Sequence, residues 1–433
     1  MTVRAEWHKL REVVVHRPGI EMFFGILEPY SFLYDRFFSM DEALFEHRAL
    51  EHALKKTGSE VRRLKQLFAE HAAPRPEYRA RAVAEAIRLV RYLGVAAERG
   101  PRYIRETIEQ MDAETLFNIL LLSPTVEARG RMSETDQRRI IYPFVTLEVP
   151  LANIYFLRDQ QATTDRGIVY GRMAKPQRRR EVKITRLAFE GSGHPTSLSV
   201  RAPGTFEGGD FMPADDFALI GVGDRTNREA VRQLLRHGMT YDEVVIVDRP
   251  KHPLMGGGGY DPMLYMHLDT YFNIAGEGIA VGCGELLDNT VIEVYQRHGR
   301  SYRAQPQDSG ISLTEYLRRK EFHLIRLSTF EQLAFASNFL TVDDRKILAV
   351  DVERNSKSVL SKIERLRSTD EYKFGTLCDH ALSEYNKLRL ARDLFPRKRE
   401  VEECGIDVVP LDLDSLTGGY GAARCMTAPL RRG

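Results

Sequence analysis

Short apolar runs alternate with helical stretches along this chain, and the first of them comes almost at once. Glu12-Val13-Val14-Val15-His16 is β-branched and stops at Arg17-Pro18, which predicts a strand. Ser39-Met40-Asp41-Glu42 has the spacing of a capping box. Leu44, Ala49, Leu50, Ala53 and Leu54 recur behind it at helical spacing, and Gly58 ends the run. Residues 64–140 are rich in Ala, Glu, Arg and Leu and poor in strand-like runs. Ala82 to Tyr92 and Ile104 to Leu122 read as helices, with Pro124 closing the second, so this stretch is expected to be an all-helical insertion. Beyond about 142 the pattern becomes α/β. Asn153 to Asp159 reads as a strand whose end delivers Asp159. Ala218 to Gly223 is an apolar strand, followed by a helix capped by Thr226 and then the strand Val244 to Val247. The order recurs at Gly278 to Val281 with a helix after Asn289, and at Ile347 to Val350 with a helix near Ser358 to Leu366. A long fixed period points to modular assembly, of which a radial arrangement is one form, although helix and strand also alternate in ordinary doubly wound sheets.

Composition narrows the classes. The 433 residues are 43% hydrophobic and 29% charged, a globular balance. A net charge of +2 gives no electrostatic case for nucleic acid or an anionic membrane. Arg178-Arg179-Arg180 is a short basic run without neighbouring aromatics and reads as a solvated face. The four cysteines, Cys283, Cys378, Cys404 and Cys425, form no C-x-x-C pair, which argues against a zinc knuckle and against a disulfide framework. The N-terminal residues lack a signal-peptide core and no apolar run reaches membrane-spanning length, so a reducing cytoplasm is the expected location.

Four segments carry candidate chemistry. Cys425 follows Gly418-Gly419-Tyr420-Gly421-Ala422-Ala423-Arg424, a small-residue approach expected to be a hinge, with a cation beside the sulfur that favours thiolate. By itself such a cysteine is as well explained as a small core residue. Asp159 stands in an Arg-Asp pair of the kind usually found as structural ion pairs. Glu207-Gly208-Gly209-Asp210 flanks two glycines with carboxylates, suiting a sharp turn or a close backbone approach. His267-Leu268-Asp269, if on a strand, points both polar residues into one space; no further His or Cys at ligand spacing supports a metal there.

The ordered set resembles the guanidino-group-modifying enzymes, and among them the arginine deiminases. Leu10 to Pro18 looks like the opening strand of that family, Asn153 to Asp159 like its substrate-binding strand, and Met173 to Arg178 like a segment supplying a carboxylate-binding arginine. Glu207 to Asp210, Gly223 to Thr226, His267 to Thr270 and Arg424 to Thr427 complete the match. The resemblance implies a five-bladed α/β propeller, the pentein fold, as one catalytic domain over 1–433 with the 64–140 insertion inside it. It implies Cys425 as nucleophile, His267 as general acid/base, Glu207 as hydrogen-bond and proton partner, and Asp159 and Asp269 as clamps on the guanidinium. Asn153, Phe156, Arg178 and Arg225 match positions that shape the pocket or hold the amino-acid end. It further implies hydrolysis of L-arginine to citrulline and ammonia without metal or organic cofactor, and a homo-oligomer acting on a small molecule, not on nucleic acid or membrane.

The chemistry of the residues agrees with this. A guanidinium is a planar cation with five N–H donors, which carboxylates receive in bidentate pairs. Three departures stand out: Tyr420 where the family carries an arginine, Arg424 in the place where it often carries a histidine, and Leu33-Tyr34-Asp35-Arg36 near the N-terminus. An amidinotransferase, an arginine dihydrolase giving ornithine, and a non-catalytic arginine- or RNA-binding scaffold are the competing readings.

Overall fold

Five strands of unrelated sequence organise the chain: Leu10–Val15, Gly167–Tyr170, Phe217–Gly221, Ile279–Cys283 and Lys346–Val350. Each is almost wholly buried, as strands covered on both faces are. Each sits between one antiparallel and one parallel neighbour. The antiparallel partners are, in the same order, Thr427–Arg432, Gln161–Thr164, Phe211–Ala214, Phe272–Gly276 and Leu340–Asp343. The parallel partners are Glu60–Arg63, Thr196–Ser199, Glu243–Val247, His323–Leu327 and Asp407–Leu411. The computed structural model from which this is read describes residues 3–94, 96–97, 100–132 and 139–433.

In four of the five sets the antiparallel strand comes first and turns into the central strand through two residues. Gly167, Asp215, Gly278 and Arg345 take the left-handed backbone at these hairpins, as tight hairpins require. The parallel strand then returns through a helical crossover such as Met40–Lys56, Glu181–Gly191 or Arg228–Gln233. In the set built on Leu10–Val15, the antiparallel place is filled by the far end of the chain, Thr427–Arg432, with Val15 opposite Thr427. Ile292–His298 and Ser301–Ala304 extend one set to five strands.

Several expectations need correction. The 64–140 segment is not all-helical. Its helices Pro76–Leu89, Gly100–Glu109 and Ala113–Leu122 are joined by a sheet of Arg91–Gly94, Pro124–Met132 and Arg139–Leu147. β-branched residues pair there, Thr125 with Thr146 and Val126 with Val145, a signal diluted by the charges interspersed among them. Residues 95, 98, 99 and 133–138 of that segment, like residues 1 and 2, lie outside the described residues. The long 104–122 helix breaks because Asp112 caps a new one, accepting from the Thr115 N–H at 2.8 Å. The cap after Phe217–Gly221 is Asn227, not Thr226, with the Ala230 N–H at 3.0 Å. After Asn289 comes a strand rather than a helix, and Asn153 to Asp159 is a succession of buried turns rather than a strand. The helix Met40–Lys56 begins at Ser39 as expected, whose hydroxyl accepts from the Glu42 N–H at 3.3 Å. No helix among the described residues is long and apolar enough to cross a membrane.

The two chain ends are locked by buried charge. Arg424 donates to Glu6 at 2.7 Å and to the Phe211 carbonyl at 2.8 Å, Arg432 reaches the other Glu6 oxygen at 3.4 Å, and Arg158 stands 3.9 Å away. Burial pushes the Glu6 carboxyl up, but Arg424, Arg158 and Arg432 outweigh it and hold it at about 2. Removing one partner from such a group leaves uncompensated buried charge, so Glu6→Ala is expected to cost roughly 3–5 kcal/mol, measurable by chemical denaturation. Because the folded value lies below the ordinary one, this stabilisation is complete above the usual carboxylate range. In wild type it is lost as pH falls toward about 2, and in the variant that pH dependence is absent.

Candidate active site

The segment just ahead of the antiparallel strand in each of the five sets brings a polar side chain to one place. Cys425 precedes Thr427–Arg432, Asp159 precedes Gln161–Thr164, Glu207 precedes Phe211–Ala214, His267 and Asp269 precede Phe272–Gly276, and Asn338 precedes Leu340–Asp343. The strand framework therefore gathers residues separated by as many as 266 positions in sequence, as in the hydrogen bond from Arg158 Nε to the Arg424 carbonyl.

A narrow, nearly filled cavity of about 10 Å³ is lined by Asn153, Phe156, Asp159, Arg178, Arg225, His267 and Cys425, with Leu33, Met266, Gly419 and Tyr420 around them. Glu207 and Asp269 stand behind this surface. The His267 imidazole meets Glu207 at 2.9 Å through Nε2 and lies 3.6 Å from Asp159 through Nδ1. Burial opposes protonation of the ring, but Asp159 and Glu207 outweigh it and raise His267 to about 9. Glu207 also receives the Ala174 N–H at 2.9 Å. Burial would raise its carboxyl; Arg225, His267 and Arg178 lower it to about 2. Asp210 accepts from the Leu268 N–H at 3.0 Å, and burial lifts it to about 7.

The glycines of Glu207-Gly208-Gly209-Asp210 allow this packing. A Cβ on Gly208 would come within 2.0 Å of the Gln161 carbonyl, and one on Gly209 within 2.8 Å of the His267 ring. His267 is extended, but Leu268–Thr270 is a single tight turn rather than a strand, so His267 and Asp269 diverge. His267 lines the cavity, while Asp269 turns to Arg424 at 2.8 Å and to the Cys425 sulfur at 3.7 Å. Burial, followed by the Asp269 and Asp159 carboxylates, holds the Cys425 thiol well above its ordinary range despite Arg424 beside it. Cys425 is thus favoured as a thiol and His267 as an imidazolium.

The glycine-rich approach to Cys425 is not a loose hinge. A Cβ on Gly419 would fall 1.9 Å from the Tyr155 hydroxyl, and one on Gly421 2.8 Å from both Phe156 and Cys425. These glycines let the loop lie flat on aromatic rings. The two arginines also differ. Arg178 donates to Asp159 at 2.7 Å, to Glu181 at 2.9 Å and to the Asn153 carbonyl at 3.3 Å. None of the three Arg225 guanidinium nitrogens has a hydrogen-bond partner, and the nearest carboxylate oxygen, on Glu207, is 3.9 Å away. The Asn153 amide is committed to the Phe32 carbonyl at 2.6 Å. The basic run is a solvated face only at Arg179, which is exposed and donates to the Met173 carbonyl at 3.3 Å; Arg178 is buried, and Arg180, half-buried, bonds the Leu120 and Val149 carbonyls.

The family model for arginine deiminase matches residues 30–432. An arginine deiminase of Halobacterium salinarum is 26% identical over 99% of this chain and 96% of its own length, and one of Listeria monocytogenes is 23% identical over 100% and 98%. Among solved structures, a dimethylarginine dimethylaminohydrolase adduct with S-methyl-L-thiocitrulline superposes with a TM-score of 0.50 at 15% identity, covering 97% of this chain and 99% of that one. A mutant of that enzyme from Pseudomonas aeruginosa complexed with citrulline gives 0.50 at 14% identity, with the same coverage. At such identities these structures establish a shared mixed α/β fold and nothing more.

One site position escapes a reading of the sequence. Asn338 accepts from the N–H groups of Ala422 at 2.8 Å and Cys425 at 3.2 Å, and donates to the Asp269 carbonyl at 3.0 Å. It thus fixes the backbone of the cysteine loop to the histidine segment. Its sequence context, Ser337-Asn338-Phe339, has no distinguishing pattern; only its place ahead of the fifth antiparallel strand marks it. Asn338→Ala orphans two buried N–H groups at about 1–3 kcal/mol each. We expect a lower denaturation midpoint and faster alkylation of Cys425, read by peptide mapping, as the loop loosens.

Proposed function

The chain belongs to the arginine deiminase family, and on that premise we propose that it hydrolyses the guanidinium group of L-arginine to citrulline and ammonia. The observation that carries this reading is the make-up of one narrow cavity: the Cys425 thiol, the His267 imidazolium, the Asp159 carboxylate and an unpartnered Arg225 guanidinium. A substrate that is cationic at one end and anionic at the other fits this polarity. The unpaired Asp159 oxygen accepts a guanidinium N–H, and Arg225 receives the α-carboxylate. Arg178, already saturated by Asp159 and Glu181, acts by holding Asp159 in place.

In this reading the substrate supplies the positive charge that the empty site lacks around Cys425. The bound guanidinium offsets Asp269 and Asp159, so that the thiol releases its proton to solvent water, and sets the sulfur beside the guanidinium carbon in an effectively unimolecular arrangement. The thiolate adds to that carbon. His267, protonated below about 9, gives its proton to one terminal nitrogen, which leaves as ammonia, and the carbon remains bonded to sulfur as a thiouronium. Now neutral, His267 takes a proton from a water that attacks the same carbon. Cleavage of the carbon–sulfur bond returns the electron pair to Cys425, whose thiolate takes the proton of the new hydroxyl and becomes a thiol again as neutral citrulline leaves. Glu207 keeps the imidazole oriented through both transfers. The sequence of steps uses only these side chains and water.

The same reading makes the five strand sets the blades of one α/β propeller around the cavity, within a single catalytic domain on which the 64–140 segment is built. Identical strand order in all five sets and one site residue from each support it. Four free cysteines suit a cytoplasmic location.

Product analysis after incubation with arginine, with and without glycine or lysine, tests the activity. Stoichiometric citrulline and ammonia in every mixture is expected. A new guanidino compound would make the protein an amidinotransferase, and ornithine would make it a dihydrolase. Cys425→Ala is expected to abolish citrulline formation while retaining arginine binding by calorimetry.

A further inference from the structure

We propose that Glu285, His380 and Glu384 form a divalent transition-metal site that clamps the helix Glu371–Ala391 to the short helix Gly284–Asp288. His380 and Glu384 lie one turn apart on the long helix and face the same side. Glu285 lies in the first turn of the short helix that follows Ile279–Cys283. One ligand atom from each lies within 4.8 Å of the other two. His380 Nε2 is 3.2 Å from Glu384 Oε1 and 3.6 Å from Glu285 Oε1. At those distances it nevertheless makes no hydrogen bond, and the nitrogen is shielded from water. The nitrogen thus has a carboxylate oxygen close by on each of two elements, with no hydrogen bond joining it to either.

The spacing suits a metal at that point. Ligand bonds of about 2.0–2.2 Å place tetrahedral donors about 3.4 Å apart, between the two distances seen. Two carboxylates balance a divalent charge. One nitrogen and two oxygens are donors for Zn²⁺, Co²⁺ or Mn²⁺, with a fourth position left for water. Among the described residues, no lysine or arginine forms an ion pair with Glu285 or Glu384. The buried Cys283 thiol contacts the other Glu285 oxygen at 3.5 Å and the Phe330 N–H bonds Glu384 at 3.3 Å, so both carboxylates are held from behind. None of the three residues lines the catalytic cavity, and the site does not rest on the activity proposed for it.

Calorimetric titration of the full chain with ZnCl₂ tests the site, using wild type, His380→Ala, Glu285→Gln and His267→Ala. The last is included because Asp159, Glu207 and His267 form a second convergent group. We expect a zinc ion that His267→Ala retains and that both His380→Ala and Glu285→Gln bind about tenfold more weakly or worse. A zinc-dependent rise in melting temperature should vanish with it. With the His380 side chain 39% exposed, its removal leaves the core intact, and Glu285→Gln preserves shape. Wild type that binds no zinc, zinc binding unchanged in His380→Ala and Glu285→Gln, or zinc binding lost in His267→Ala would overturn the proposal.

Discussion

A chain of buried ion pairs runs from the surface of the catalytic cavity to both ends of the polypeptide, and the site depends on it. Cys425 lies against Asp269, Asp269 is held by Arg424, and Arg424 is held by Glu6, which also meets Arg432 and Arg158. Charges this deep are tolerated only when each is neutralised and hydrogen-bonded. The consequence is geometric. Arg424 is the residue before Cys425, Glu6 comes from the start of the chain, and Asp269 belongs to the histidine segment. Pairing Thr427–Arg432 with Leu10–Val15 therefore also brings these residues together.

That arrangement leaves the site electrostatically incomplete in a useful way. Burial, followed by the Asp269 and Asp159 carboxylates, holds the Cys425 thiol protonated, while Asp159 and Glu207 hold His267 as an imidazolium. At the mouth, two of the places where the sequence departs from the family pattern meet. The Tyr420 hydroxyl is 3.5 Å from Asp35, and the Asp35 N–H bonds the Gly418 carbonyl at 2.6 Å. Leu33 and Tyr420 both line the cavity, so both departures fall on its wall.

Much of this was legible in the sequence because the chemistry resides in short motifs whose residue types admit few uses: Glu-Gly-Gly-Asp, His-x-Asp, Arg-Cys. The repeating strands were legible too, since buried central strands such as Phe217–Gly221 and Lys346–Val350 are continuous apolar runs. Asn153 to Asp159 misled because buried turns can be as apolar as strands. Asn338 was invisible because its role is to accept backbone N–H groups from a loop 84 residues or more away. Nor does sequence reveal that Arg178 is saturated and Arg225 unpartnered, since that depends on where Glu181 and Asp159 fall in space. The glycines before Cys425 were read as freedom to move, whereas the aromatic rings beneath them make them a condition of close packing.

The central claim is that arginine carbon becomes bonded to Cys425 during turnover. Acid quenching of the protein mixed with arginine, followed by mass spectrometry of its peptides, tests it most directly. The account requires a peptide containing Cys425 heavier by one arginine less one ammonia, present in the steady state and absent without substrate. Citrulline production with no adduct at any time, or with the adduct on Cys283, Cys378 or Cys404, would contradict it.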